Sequence, residues 1–144
     1  MLKGISPLLN PELLKILAAM GHGDEIVIGD GNFPADSMGK RCVRCDGHSV
    51  PELLDAILQL FPLDDFVAEP VTLMEVVPGS LPEGEPPIWS EFRKIIDRQE
   101  PGAKIGFCER FEFYERSKRA YATIQTGERA LYACVILKKG VIRS

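Results

Sequence analysis

Two residues in the stretch Gly21–Pro34, read as G-H-G-D-E-I-V-I-G-D-G-N-F-P, could do chemistry together. His22 lies between two glycines, and Asp30 lies between two more. An unperturbed imidazole titrates near ~6.5, so it can give and take protons at neutral pH. A carboxylate can accept hydrogen bonds from several hydroxyls at once. The plainer readings are a surface histidine at a helix end and an Asx-turn carboxylate opening a loop. Glycine removes steric limits on the backbone and lets a ligand come close, which makes both flanks candidates for a site.

The residues between them read as a strand. Glu25–Ile28 is a short β-branched run bounded by Gly and Asp, the pattern of a buried core strand. His22 precedes that strand and Asp30 follows it, and eight extended steps cover roughly 26 Å at ~3.3 Å per residue. The pair can therefore share one small site only if the glycines fold the chain back or if two subunits contribute. The second arrangement is expected, with a site at a subunit boundary.

The rest of the chain supplies a scaffold. Asn10, Pro11 and Glu12 mark a helix start, with Leu13, Leu14, Ile16 and Leu17 as its apolar stripe and Gly21 after its end. Gly29–Gly39 is rich in turn formers and reads as a loop, followed by a strand around Cys42–Cys45. Ser49-Val50-Pro51-Glu52 matches a capping box, and the helix it opens is stopped by Pro62. A strand is expected over Val71–Val77, a Pro- and Gly-rich loop over Pro78–Pro87 and a helix over Ile88–Gln99. A strand over Lys104–Cys108 and a charged helix over Arg110–Ala120 follow. Tyr121–Thr126 and Leu131–Leu137 flank Gly127-Glu128 and suggest a closing C-terminal β-hairpin. The alternation predicts a single α/β domain over residues 1–144, a three-layer α/β/α Rossmann-like fold with a mainly parallel sheet.

Composition narrows the function. The chain has 144 residues, a net charge of -4 and 26% charged residues. An acidic chain lacks the basic face a nucleic-acid binder needs to replace counterions. No apolar run approaches the ~20 residues of a membrane helix, and Met1–Asn10 does not resemble a signal peptide. A cytoplasmic protein with four free thiols is expected.

Further candidates each have a bland alternative. Cys42-Val43-Arg44-Cys45, with His48 close by, could be a redox pair or half a zinc site. On a strand, however, positions three apart face opposite sides, and no second C-x-x-C completes a ligand set; no metal site is assigned. No dinucleotide, P-loop or G-x-S-x-G pattern is present. Arg110 could hold a hydroxyl or be an ion-pair partner of Glu109 or Glu112. Tyr132 could donate to a ligand oxygen or pack in the final strand. Phe33, Trp89 and Tyr114 could stack on an apolar sugar face or be core.

Several long strings carry a resemblance: L-K-G-I-S-P-L-L-N-P-E-L-L at the start, M-G-H-G-D-E-I-V-I-G-D-G-N-F-P-A, R-F-E-F-Y-E-R-S-K-R-A-Y-A, T-G-E-R-A-L-Y-A and I-L-K-K-G-V. They span nearly the whole chain, which resembles the fucose mutarotase branch of the fucose mutarotase and ribose pyranase family. The resemblance implies a cytoplasmic, cofactor-free isomerase that interconverts the anomers of free L-fucose, assembled as ring-shaped homodecamers with sites between neighbouring subunits. It places the acid/base role on His22 and sugar binding on Asp30, Arg110, Tyr132, Ala133 and Cys134. At the last position the family usually carries an amide, for which a thiol is a poor substitute as donor and acceptor. The alternatives are a D-ribose pyranase and a non-catalytic sugar-binding or regulatory subunit of a sugar transport system.

Overall fold

The structure, a computed structural model, describes residues 1–82 and 84–144. Its elements run α1 (Pro11–Ala19), β1 (Glu25–Gly29), α2 (Ala35–Met38), β2 (Cys42–Cys45), α3 (Val50–Leu58), β3 (Val71–Met74), α4 (Ile88–Gln99), β4 (Ile105–Cys108), α5 (Arg110–Arg119), β5 (Ala122–Thr126) and β6 (Val135–Lys138). Local chemistry accounts for the boundaries. Asn10 accepts from the Leu13 amide and caps α1, and Ser49 and Glu52 close the reciprocal capping box of α3. Glu109 caps α5 by accepting from the Phe111 and Glu112 amides.

The strands form one six-stranded sheet in the order β2-β5-β1-β6-β3-β4. β1 and β2 pair parallel with β5, and β3 pairs parallel with β4; β6 runs antiparallel to both β1 and β3. Alternation along the strands splits the core in two. Ile26 and Ile28 of β1, with Val135 and Leu137 of β6, join the cluster under α1, α3 and α4. Val27 and Ile136 point the other way and pack with Ala35 of α2 and Phe113 of α5. The three-layer α/β/α arrangement therefore holds, because each central strand buries both faces.

Helix α5 is highly charged and buries only Phe113 and Ser117. It is fastened to the sheet instead through Arg116, which donates to Glu25 (2.6 Å) and to Thr72 (3.0 Å). Two expectations need correction. The segment Gly29–Gly39 contains the short helix α2 rather than loop alone. The C-terminal hairpin does not form: β1 is inserted between β5 and β6, and residues 127–134 cross the sheet edge to reach the far side of β1. Tyr132, Ala133 and Cys134 consequently lie in that crossing segment, ahead of β6, and not in the last strand.

The topology gathers the carboxyl ends of five strands at one edge of the sheet, together with the start of β6. Gly127 is where the crossing segment turns against the β2–α3 loop: its amide donates to the His48 carbonyl (3.0 Å), and a Cβ there would overlap the Asp46 carbonyl oxygen. Gly127→Ala should destabilise the fold by roughly 1–3 kcal/mol, the range for overpacking against backbone that cannot move away. Urea denaturation checks this, and an unchanged midpoint would show that the loop can shift.

Candidate active site

β1 delivers Asp30 to the carboxyl edge of the sheet, and neighbouring groups fix it there. The Asp30 carbonyl accepts from Gln125 Nε2 (2.8 Å), the Gly29 carbonyl accepts from Thr126 Oγ1 (2.7 Å), and the Gly31 amide donates to the Glu128 carbonyl (2.8 Å). One carboxylate oxygen of Asp30 accepts from the Asn32 amide (2.9 Å) in an Asx turn. The plain reading of Asp30 is realised in that turn, and its carboxylate also lies against the Cys134 thiol. The side chain is 94% buried yet lines a cavity of about 290 Å³.

That cavity is lined by Asp30, Asn32, Phe33, Met74, Ser80, Tyr114, Leu131, Tyr132 and Cys134. Its volume sits at the small end of the ~300–1,000 Å³ typical of ligand sites. Roomier concavities exist: one of about 660 Å³ beside Phe107 and Lys104, one of about 530 Å³ between Leu14, Leu17 and Ile142, and one of about 470 Å³ between Ser49, Pro87 and Glu128. The first two lie away from the carboxyl edge, where open α/β sheets bind ligands, and none of the three holds a buried carboxylate.

Tyr132 is held in the left-handed region at φ 57°, an uncommon conformation for a residue with a side chain. Its carbonyl accepts from Trp89 Nε1 (2.9 Å), and its hydroxyl accepts from the Val77 amide (3.1 Å) and pairs with Ser80 Oγ (2.5 Å). Trp89 is therefore a core residue that positions the pocket wall. Ala133 is fully buried behind the wall. Cys134 lies on the floor, 3% exposed, and burial followed by the adjacent Asp30 charge pushes its thiol well above the ordinary cysteine value.

Arg110 opens α5 at the rim. It does not pair with Glu109 or Glu112; its Nε donates to the Tyr114 hydroxyl (3.0 Å), and its guanidinium stands 5.4 Å from the Tyr114 ring centroid. Arg110 thus reaches the cavity through Tyr114. Phe33 packs edge-on against Phe113 and beside Tyr114, so it serves both core and pocket.

His22 lies at the opposite end of β1. The five strand residues between it and Asp30 span about 17 Å at ~3.3 Å each, and the chain does not fold back. The turn that holds it is anchored by Gly23 at φ 88°, whose amide donates to the Lys139 carbonyl (2.8 Å), and by Asp24, which accepts from the Gly21 amide (2.8 Å). Its Nε2 lies 3.0 Å from Asp64 Oδ1, and its ring meets Phe66 edge-on at 4.8 Å. A carboxylate at Nε2 favours the tautomer with the proton on that nitrogen, on a side chain 40% exposed. Burial pushes the Asp64 carboxyl up, but hydrogen bonds from the Phe66 amide and from His22 outweigh it and hold the group below the ordinary carboxylate value.

Of the residues singled out from sequence, then, Asp30, Tyr132 and Cys134 share one cavity, with Ala133 behind them and Arg110 at its rim, while His22 stands apart. Sequence reading missed Asp64, whose only signal is a position after Pro62 in an acidic pair, and the wall residues Asn32, Met74, Ser80 and Leu131. The two C-x-x-C thiols face opposite sides of the sheet: Cys42 packs in one core cluster and Cys45 in the other, where it accepts from Asn10 Nδ2 (3.7 Å). His48 turns to Glu52 (3.8 Å).

The Asp64 carboxyl binds its proton less readily folded than unfolded, where its value is ~3.9. Its contribution to stability is complete above about pH 4 and is lost as pH falls through the lower folded value. Thermal midpoints of the parent should accordingly drop more steeply than those of Asp64→Asn below about pH 4. Parallel curves would mean that the contact to His22 adds nothing to folding.

Comparison with known proteins agrees with this geometry over nearly the whole chain. A family model described as the RbsD / FucU transport protein family matches residues 3–142. The chain is 50% identical to the fucose mutarotase of Homo sapiens over 98% of its length and 94% of that protein's. The crystal structure of the fucose mutarotase from Streptococcus pneumoniae in complex with L-fucose superimposes with a TM-score of 0.92 at 48% identity, covering 99% of this chain and all of that one. Bacillus subtilis RbsD complexed with D-ribose superimposes at 0.71 with 27% identity, over 99% of this chain and all of that one. This agreement in sequence and in fold, nearly end to end, leads to one assignment: the chain belongs to the RbsD / FucU family.

Proposed function

We propose that this protein is an L-fucose mutarotase, an isomerase that interconverts the α and β anomers of the free sugar. The observation that carries the reading is the buried Asp30 carboxylate opening into a monosaccharide-sized cavity, on a chain about half identical to curated fucose mutarotases throughout. The lower likeness to the ribose-bound relative favours fucose over the pyranase alternative.

The reaction needs a proton delivered to the ring oxygen and another removed from the anomeric hydroxyl. The C1–O5 bond then breaks, the open-chain aldehyde turns about C1–C2, and closure on the other face returns both protons. Acid/base assistance of this kind contributes ~10²–10⁴-fold. Asp30 supplies an acceptor that anchors sugar hydroxyls, and Arg110 steadies Tyr114 at the rim. Tyr132, whose hydroxyl is already engaged by Val77 and Ser80, acts as wall and binder. The Tyr114 oxygen accepts from Arg110, which leaves its own O–H to be given to the sugar.

His22 is the proton shuttle, and it acts on a neighbour's pocket. The support is geometric: β1 separates His22 from Asp30 in one chain, while the imidazole is held by Asp64 on a side chain 40% exposed. A shared site requires an assembly, and the motifs that resemble the family point to a homodecamer working in the cytoplasm. No helix among the described residues is long and apolar enough to cross a membrane.

Saturation-transfer NMR on L-fucose tests the reading. His22→Ala should lose acceleration of anomer exchange, by ~10²-fold or more. Asp30→Asn and Arg110→Ala should raise KM more than they lower kcat. Where both Asp30→Asn and His22→Ala are impaired alone, co-assembly of the two should restore activity at about a quarter of the sites, which randomly mixed neighbours would complete. Failure of the mixture to recover would place both residues' work within one chain. Binding of fucose without faster exchange would instead identify a non-catalytic sugar-binding subunit. Cys134→Asn should strengthen fucose binding if the side chain at this position contacts a hydroxyl; unchanged affinity would leave only the backbone in contact.

A further inference from the structure

We infer that Leu131 reads the substituent on C5 of the sugar, selecting a methyl group there over a hydrogen or a hydroxymethyl. This rests on the fucose mutarotase reading above and deepens it. The cavity wall is chemically divided. Asp30, Asn32, Ser80, Tyr114 and Tyr132 supply hydrogen-bonding groups, and Phe33, Met74 and Cys134 form a floor that is already packed into the core. Leu131 alone is apolar and still 51% exposed.

A solitary exposed leucine needs no explanation in general. This one is different because its backbone is clamped on both sides. Upstream, the Glu128 carboxylate accepts from the Arg129 amide (2.9 Å), the Ala130 amide (3.0 Å) and, from α3, the Val50 amide (3.3 Å). The Glu128 carbonyl accepts from Gly31, next to Asp30. Downstream, Tyr132 is fixed at positive φ by Trp89 and by Val77. The loop is therefore anchored on either side of Leu131, whose side chain lines the cavity with Asp30.

A 6-deoxyhexose has hydroxyls on C1 to C4, a ring oxygen, and one substituent that neither gives nor accepts a hydrogen bond: the methyl on C5. Asp30 brings a carboxylate to the cavity as a hydrogen-bond acceptor, and Leu131 offers nothing but dispersion and exclusion of water. The complementary pose puts the hydroxyls toward Asp30 and the methyl against Leu131. A hydroxymethyl in that place would surrender a water without gaining a partner, and a hydrogen would leave the leucine wet.

Three sugars isolate the effect. D-Arabinopyranose is L-fucose without its methyl, and L-galactose is L-fucose with a hydroxyl on that carbon. Exchange kcat/KM should be measured for all three in the parent, in Leu131→Ala and in Leu131→Asn. The parent should favour L-fucose over D-arabinose by about 10-fold, the low end of the roughly 10–200-fold that one methylene-sized group confers. Leu131→Ala should bring that ratio to within about 3-fold by slowing fucose alone, and Leu131→Asn should move preference toward L-galactose. An unchanged fucose-to-arabinose ratio in Leu131→Ala overturns the inference. So does an equal loss on all three sugars, with or without a change in sedimentation, because that would make Leu131 a loop or subunit-contact residue. A parent that accelerates all three sugars equally defeats the inference while leaving the mutarotase reading intact, and a parent that accelerates none defeats both.

Discussion

β1 and β6 lie side by side and run in opposite directions through the middle of the sheet, with Glu25 against Lys138 and Ile28 against Val135. The chemistry depends on this pairing. Because the strands are antiparallel, the residues after β1 meet the residues before β6 at one edge, and the residues before β1 meet those after β6 at the other. The first meeting builds the pocket from Asp30 and Cys134. The second ties the His22 turn to the Asp64 loop: Gly23 donates to the Lys139 carbonyl, Asp64 to the Lys138 carbonyl and Gly140 to the Pro62 carbonyl. Lys139 Nζ also donates to the Leu17 and Met20 carbonyls, which seats the end of α1 beneath the same turn. An extended strand cannot bend back on itself, so one pairing organises both the Asp30 pocket and the His22 turn and keeps them apart.

Each of the two is ordered by the same means, backbone groups satisfied before any ligand arrives. At the pocket edge, Gln125, Thr126, Trp89 and Glu128 tie down the carbonyls and amides around Asp30 and Tyr132. At the other edge, Asp64 is itself held by the Phe66 amide before it touches the imidazole. Catalysis by proton transfer gains from such preorganisation, because groups that are already in place need not be ordered during the reaction. The left-handed Tyr132 is the visible cost, and its three hydrogen bonds are what sustain it.

Local signals in the sequence were sufficient wherever the physics was local. The caps at Asn10 and Ser49, the extent of α4 and the buried run of β1 follow from residue type and spacing over a few positions. The opposite facing of Cys42 and Cys45 follows from the period of a strand. The hairpin expectation failed because two β-rich runs around a Gly-Glu pair look the same whether the strands pair or a third strand comes between them; burial of Val27 and Ile136 on one face, next to Ile26, Ile28 and Leu137 on the other, is a non-local outcome. Asp64 escaped notice for a similar reason. It is 42 residues from His22, and nothing within its own neighbourhood separates it from Asp65, whose carboxylate is taken by Arg143.

The thiol of Cys134 bears on what the pocket floor can offer. The residue lies at the junction of the crossing segment and β6, fully enclosed, with Ala133 and Val135 on either side equally buried. A side chain in that position fills volume first and offers hydrogen bonds second, and a thiol does the first while largely giving up the second. The rest of the lining is the Asp30 carboxylate, held by the Asn32 amide while Gln125 fixes the Asp30 backbone carbonyl, and the wall of Tyr114, Tyr132 and Leu131. Above that floor the lining combines one charged acceptor, Asp30, with one exposed apolar side chain, Leu131, around a cavity of about 290 Å³.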